Sequence, residues 1–174
     1  MVDVPYIAQQ SIYDCGAAVV GMVTKYYGIY TDHNVLVEKL LVDKDKPFSH
    51  TPKRRLRKVF SELDMVTVEF ALVGPEEEKE HFHVLSTRHL DCVITMLDAD
   101  FPVILNYKKA GQGHYGVAYG YNNDGDNNKE LIVHCPEDGP DIKIPFSYFE
   151  KHWQSANRLW EKWFMVVLSR NSNP

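Results

Sequence analysis

From Ala17 to Tyr27 almost every position is apolar, and the run Ala17-Ala18-Val19-Val20-Gly21-Met22-Val23-Thr24-Lys25-Tyr26-Tyr27 stops at Gly28. Asp14 stands where an N-cap belongs and Gly28 just past the end. A helix apolar on nearly all sides belongs in the middle of a domain, not on its surface. Ahead of it, Val4 to Ile7 reads as a short extended piece. Asn34 to Leu41 has the pattern of a second helix, and Thr51-Pro52 opens a third that runs to about Leu63, with proline at its first helical position.

After Met65 the period changes from helical to alternating, and Val66 to Leu72 reads as a strand. Gly74-Pro75 and the acidic stretch behind them read as a loop. Ser86 or Thr87 then caps a helix through Leu97, with Leu90, Val93, Ile94 and Leu97 at helical spacing. Strand-like segments follow at Val103 to Tyr107, His114 to Tyr121, Leu131 to Cys135, Ile142 to Ile144 and Trp163 to Leu168. A helix from Phe146 to about Trp153 precedes the last of them. Polar Asn122 to Glu130 suits a long hairpin connection. Helices first and strands later predict an α+β domain with the N-terminal helices packed on an antiparallel sheet.

The chain has 174 residues, which fits one domain over residues 1–170 and a frayed tail at 171–174. Its 19 basic and 24 acidic residues give a net charge of −5. There is no whole-chain basic field to hold nucleic acid. No run approaches the roughly 18 apolar residues of a membrane span. The first fifteen residues lack the basic start and apolar core of a secretion signal, so a cytoplasmic setting is expected. Lys53, Arg54, Arg55, Arg57 and Lys58 form one charge cluster and Glu76, Glu77, Glu78 and Glu80 another, both read as solvated charge.

Three cysteines, Cys15, Cys92 and Cys135, are too few for a disulfide framework and leave at least one thiol unpaired within the chain. Asp14-Cys15-Gly16 is the sharpest feature. A thiol at a helix start meets unpaired backbone N–H groups and the positive end of the helix dipole, which favour thiolate. Gly16 would let a substrate backbone come close. The plain alternative is a small apolar residue at the head of a core helix. Gln9, six residues upstream, could donate its amide to an oxyanion forming beside the sulfur. His114 opens a glycine-containing apolar strand in the other half of the chain, the arrangement a sequence-distant Cys–His pair needs. Taken alone it is also an ordinary structural histidine.

Cys92, on a helical Leu-Asp-Cys-Val-Ile-Thr-Met-Leu stretch, reads as core. Asp124 to Asn128 only superficially resembles a calcium loop, because its glycine is misplaced and no glutamate holds the twelfth position. His81, His83 and His89 lack a companion metal-ligand pattern and read as loop and helix-surface residues.

Val4-Pro5-Tyr6-Ile7 with Gln9, then Asp14-Cys15-Gly16-Ala17-Ala18 and Lys25-Tyr26-Tyr27-Gly28, resembles the opening of the double-glycine leader peptidases, cysteine peptidase family 39. His114-Tyr115-Gly116-Val117, with Phe149 and Trp153, resembles that family's histidine strand and closing helix. Agreement is strong over the first 28 residues, moderate from Gly113 to Pro136 and slight between about Asp43 and Ala99. The resemblance implies a papain-like cysteine peptidase fold with Cys15 as nucleophile, His114 as general base and acid, and Gln9 as oxyanion donor. It implies a hydrolase cleaving a peptide or isopeptide bond, without a cofactor or metal, on a peptide or protein substrate. Many family members are fused to ABC transporters, so a link to a transporter is also implied.

One position departs from that pattern. Where the family has an Asp-Pro pair whose aspartate orients the imidazole, this chain reads Cys135-Pro136. Loss of such an orienter can cost on the order of 10⁴ in rate. Glu137, Asp138 or Asp141 could take the place if the strand bulges, with Asn106 a poorer candidate, and Cys135 itself stands at the site. A Cys15–His114–Cys135 cluster would alternatively suit zinc or a redox-sensitive disulfide. Two other functions stay open on the same scaffold: a Cys–His deamidase or acyltransferase, and a catalytically degenerate peptide-binding domain.

Overall fold

The order of elements is three helices, then strands interleaved with two more helices. Helices α1 (Cys15–Tyr26), α2 (His33–Lys39) and α3 (Lys53–Glu62) come first. They are followed by β1 (Met65–Ala71), a 3₁₀ turn at Glu76–His81, β2 (His83–Val84), α4 (His89–Asp98), β3 (Val103–Lys109) and β4 (Gln112–Asn123). The chain then forms β5 (Lys129–Cys135), β6 (Gly139–Pro145), α5 (Phe146–His152) and β7 (Phe164–Ser169). This is a computed structural model, and it describes residues 1–40, 51–85, 89–123, 129–154 and 160–169. The expected caps at Ser86 and Thr87, the Asp124–Asn128 loop, Leu41 and the 171–174 tail lie outside those residues.

Local chemistry accounts for the boundaries. Every residue of α1 from Cys15 to Thr24 is buried, as an all-apolar helix requires. Asp32 caps α2 by accepting from the N–H groups of Asn34 (2.9 Å) and Val35 (3.3 Å). Pro52 is the N-cap of α3 rather than its first helical residue. Leu56, Val59 and Phe60 of α3 point inward. Truncating a fully buried phenylalanine such as Phe60 would cost about 3–5 kcal/mol.

The seven strands lie in one sheet in the order β2-β1-β7-β3-β4-β5-β6. All its pairings are antiparallel except β1 with β2, which is parallel through Phe70↔His83 and Ala71↔Val84. The expected sheet was therefore correct but one strand short: two residues of β2 give no periodicity to read, and His83 sits in a strand, not a loop. Alternation along β3 and β7 divides two cores. Ile104, Met165 and Val167 join α1, α2 and α3 on one side, while Val103, Leu105, Phe164 and Val166 join α4 and α5 on the other. Helices thus cover both faces. Cys92 on α4 is half-buried at the edge of the second core, less deep than its apolar context suggests.

Two details of this frame place the site. The extended N-terminal segment runs against β4 and β5 without joining the sheet: Val2 donates to the Tyr119 carbonyl (3.1 Å), the His134 ring meets the Val4 carbonyl (2.8 Å), and Gln9 donates to the Pro136 carbonyl (3.0 Å). The β5–β6 register also slips between Val133 and Cys135. That slip ends β5 in a tight turn which brings Asp138 back over Cys135.

Candidate active site

Cys15 is the first residue of α1 and Asp14 its N-cap, but the Asp14 side chain makes no capping bond to the helix. Its buried carboxylate instead accepts from the N–H groups of Gln10 (3.2 Å) and Ser11 (3.0 Å) and meets His33 Nε2 at 2.9 Å. Asp14 therefore folds the loop between Gln9 and Cys15 and leaves the first-turn N–H groups of α1 unoccupied by its oxygens. Gly16 has a packing role. A Cβ there would lie 2.5 Å from Thr51 Oγ1, so glycine lets the segment before α3 press against α1, and close substrate approach is not what requires it.

A cavity of about 960 Å³ opens beside the helix start and is lined by Cys15, Thr51, Lys53, Asn106, His114 and Tyr115, among others. Cys15 is 8% exposed. Burial pushes its thiol up to about 11, against the opposing pull of the Tyr115 and Gly16 backbone N–H groups on the sulfur. The helix terminus was expected to lower this thiol, and desolvation outweighs it. Sulfur and Tyr115 N–H lie together, and Tyr115 follows His114 on β4.

His114 pairs across the sheet with Tyr107, whose ring meets the imidazole edge-on at a centroid distance of 5.7 Å. Its Nε2 faces Cys135 Sγ at 3.4 Å. Cys135 in turn donates to Asp138 Oδ2 (3.3 Å) and receives the Asp138 backbone N–H (3.4 Å). Lys109 completes the cluster, binding Glu137 and, at 2.6 Å, Asp138 Oδ1. Burial first, then the nearby Lys109 ammonium, brings His114 down to about 4, with Glu137 and Asp138 pulling the other way. At neutral pH the site therefore holds a neutral thiol and a neutral imidazole.

Cys15, His114 and Glu137 all line the cavity, with no Cys15–His114 hydrogen bond among the described residues. Gln9 is not among the lining residues; it is placed by its backbone bond to Pro136, and among the described residues no hydrogen bond fixes its side-chain amide, whose Oε1 is buried and unpartnered. Cys135 is fully buried and is not among the lining residues. Asp141 faces elsewhere, accepting from the Tyr119 hydroxyl (2.5 Å) and lying 3.8 Å from His134. Asn106 holds the backbone of His114 rather than its ring, donating from Nδ2 to the His114 carbonyl at 3.1 Å. The three cysteines are unpaired, and no group of three or more His, Cys, Asp or Glu side chains among the described residues is placed to hold a metal ion.

The basic cluster was misread in part. Lys53 is buried and lines the cleft, and Arg57 binds the buried Glu69 and also Glu78 (2.9 Å). A signal existed: Lys53, Arg54 and Arg55 crowd the first turn of a helix, where the dipole disfavours cations. A basic first turn needs a reason beyond solvation.

A seven-stranded sheet with a buried N-terminal helix carrying a cysteine against a histidine strand is the papain-like cysteine peptidase architecture. Residues 1–160 match the Peptidase_C39 like family, and the chain belongs to that family. The peptidase domain of Streptococcus ComA, described as a bi-functional ABC transporter of a quorum-sensing pathway, superposes with a TM-score of 0.68 at 18% identity, covering 97% of this chain and 100% of that one. A double glycine motif protease from an AMS/PCAT transporter, solved with its leader peptide, gives 0.65 at 19% identity over 97% and 93%. The N-terminal peptidase C39 like domain of a toxin secretion ATP-binding protein from Vibrio parahaemolyticus gives 0.52 at 17% identity over 92% and 99%. A search of the curated proteins finds no match. Membership of this family carries a cysteine peptidase-like function at family level, and no described helix is long and apolar enough to cross a membrane.

Proposed function

We propose that the chain is a cysteine peptidase in which Cys15 attacks a peptide bond laid along the cleft and His114 moves the proton. The observation that carries this reading is the opening of Cys15, at the head of a buried helix, onto the cavity that also exposes His114. Cys135 is the thiol in contact with the His114 ring, but it is fully buried and does not line the cavity, so it is not placed to meet a substrate.

The electrostatics favour concerted general-base attack over a standing thiolate–imidazolium pair. The Cys15 proton passes to His114 as sulfur bonds the carbonyl carbon. The resulting oxyanion is held by the Cys15 N–H and the Gln9 amide. Collapse expels the amine, which takes the proton from His114 and leaves a thioester. Water, losing its proton to His114, then hydrolyses that thioester and frees the thiol.

Cys135 occupies the orienting position with Asp138 behind it, so the imidazole leans on a carboxylate through one intervening thiol. Glu137 contributes charge from the same turn. A leader peptide in the related double glycine motif protease supports a peptide as the occupant of the cleft. The test is digestion of a complex peptide mixture read by mass spectrometry. Cleavage at a consistent sequence is expected for the native protein and loss by at least about 10⁴ for Cys15→Ala. Equal cleavage by Cys15→Ala would sink the assignment.

A further inference from the structure

Lys53 takes no part in the chemistry above, yet it is the most unusual charge in the cleft. Its Nζ lies 4.9, 5.2 and 5.8 Å from the ring centroids of Trp163, Trp160 and Tyr115, and it donates to Asn106 Oδ1 at 3.1 Å. Three aromatic faces and one amide oxygen hold a cation in place without neutralising it. Among the described residues no carboxylate is within ion-pair distance of Lys53. Glu69 on β1 and Glu78 in the 3₁₀ turn act on it only through space, and both are bound by Arg57. Burial consequently lowers Lys53 to about 7.

Thr51, two residues away, also lines the cavity; its Oγ1 is buried beside Gly16 and has no hydrogen-bond partner among the described residues. Its carbonyl accepts from the Tyr115 hydroxyl at 2.8 Å. Tyr115 thus ties three things together: its N–H meets the Cys15 sulfur, its hydroxyl fixes Thr51, and its ring lies under Lys53. An anion entering here would find, among the described residues, a cation without a carboxylate partner and a hydroxyl without a hydrogen-bond partner, in the cavity that Cys15 also lines. Of the carboxylates lining the cleft, Glu78 is engaged by Arg57 and Glu137 by Lys109, while Glu77, like Arg54, is exposed to solvent.

We propose that Lys53 and Thr51 form a carboxylate-binding subsite beside Cys15, so that the peptide taken by the cleft presents a carboxylate close to the bond under attack. The carboxylate comes either from an acidic side chain or from the end of the substrate chain. This deepens the peptidase reading and rests on it for cleavage, while the binding event itself requires only the cleft.

The test therefore reads binding without cleavage. The rate of Cys15 alkylation by iodoacetamide is measured with and without three probes: N-acetylaspartic acid α-amide, which offers a side-chain carboxylate; N-acetylalanine, which offers a chain-terminal one; and N-acetylalaninamide, which offers none. Fragments of this size bind at roughly millimolar concentration. One of the two carboxylates should slow alkylation at least about fivefold there, and which one does so identifies the source, while the amide should not. The affinity read from protection should weaken on the order of tenfold from pH 6 to pH 8.5, leaving little protection at the upper end, because Lys53 carries its charge below about 7 and loses it above.

Lys53→Met, which keeps the aromatic box filled, should abolish protection, and Thr51→Val should reduce it about threefold through the lost hydrogen bond. If Lys53→Met does not fold, Thr51→Val and the pH series on the native protein decide. Failure of both carboxylates to protect, equal protection by the amide, or full protection in folded Lys53→Met overturns the subsite, whether or not the protein cleaves peptides. Absence of cleavage beside charge-dependent protection would remove the peptidase reading and leave the subsite standing.

Discussion

Two buried thiols approach the same histidine strand, and their surroundings differ in every respect that governs reactivity. Cys15 sits where a helix begins, opens on a large cavity, and among the described residues is hydrogen-bonded only by backbone donors, the N–H groups of Tyr115 and Gly16. Cys135 sits where a strand ends, is closed to the cavity, and is bound on both sides, by the His114 ring and by Asp138. The first thiol has access without a side-chain partner, and the second has partners without access. On the reading proposed above, in which Cys15 attacks, proximity to an imidazole does not by itself define a nucleophile. A sulfur that must attack a bound peptide needs an open face, whereas a sulfur that orients a ring is better sealed, where competing water is excluded.

The largest effect that separates the two is the pH profile of Cys15 alkylation. A thiol held at about 11 beside an imidazole held at about 4 carries little thiolate at neutral pH. Its reaction with iodoacetamide should rise close to tenfold per pH unit from pH 6 to 10, with no plateau, an increase of about 10⁴ in all. A plateau beginning below pH 7 would mean a preformed ion pair and would erase the contrast drawn between the thiols. Cys135→Asp should create such a plateau, since a carboxylate against Nε2 favours imidazolium and through it the thiolate.

Replacing Cys135 by alanine tests the other half of the comparison. The ring loses its only side-chain hydrogen-bond partner among the described residues, and kcat/KM should fall about 10², less than the roughly 10⁴ attributed to a lost aspartate because a thiol is the weaker partner. KM should change little, since Cys135 does not reach the cleft. Cys135→Asp should at least restore the native rate and move the acid limb of kcat/KM upward from near pH 4, the direction a neighbouring negative charge dictates. Unchanged kinetics in Cys135→Ala would reduce Cys135 to packing.

The contrast also marks what was readable in the chain. The place of Cys15 at the head of a buried helix was readable because helix caps and apolar runs are local signals: the residue, its cap position and the stop at Gly28 lie within fifteen positions. His114 was legible for the same reason, at the mouth of a glycine-containing strand. A carboxylate from Glu137, Asp138 or Asp141 in the orienting place was only a conditional expectation, and the Cys135–Asp138 contact was not foreseen, because it follows a register slip at Val133 that alternation does not encode. Lys53 was hidden further, since its aromatic box is assembled from Tyr115, Trp160 and Trp163, all far along the chain. Within its own neighbourhood it was one cation in a charged run, and only the helix dipole argued against solvation. The α+β order and the helix and strand positions were legible, but the two-residue β2 and the distribution of helices over both faces were not, because both are set by tertiary pairing.

Asp138 gives the finest division between the two sides. Its side chain is 47% exposed and binds Lys109 as well as Cys135, so its influence on the imidazole is screened and shared. Asp138→Asn keeps an oxygen for the Cys135 thiol but removes the negative charge. Two consequences follow from the signs. The Lys109 ammonium, less well neutralised, disfavours imidazolium more, and the direct support of Asp138 for the protonated ring is lost. Both push His114 further down, so kcat/KM should fall about threefold with its acid limb displaced slightly to lower pH, while the alkylation rate of Cys15 at pH 7 stays within about twofold of native. Asp138→Ala, which also strips the hydrogen bond from Cys135, should fall between that value and Cys135→Ala. If the asparagine variant instead matched Cys135→Ala in rate loss, the thiol would be a mere conduit and the carboxylate the true orienter, and the division of labour between residues 135 and 138 would have to be reversed.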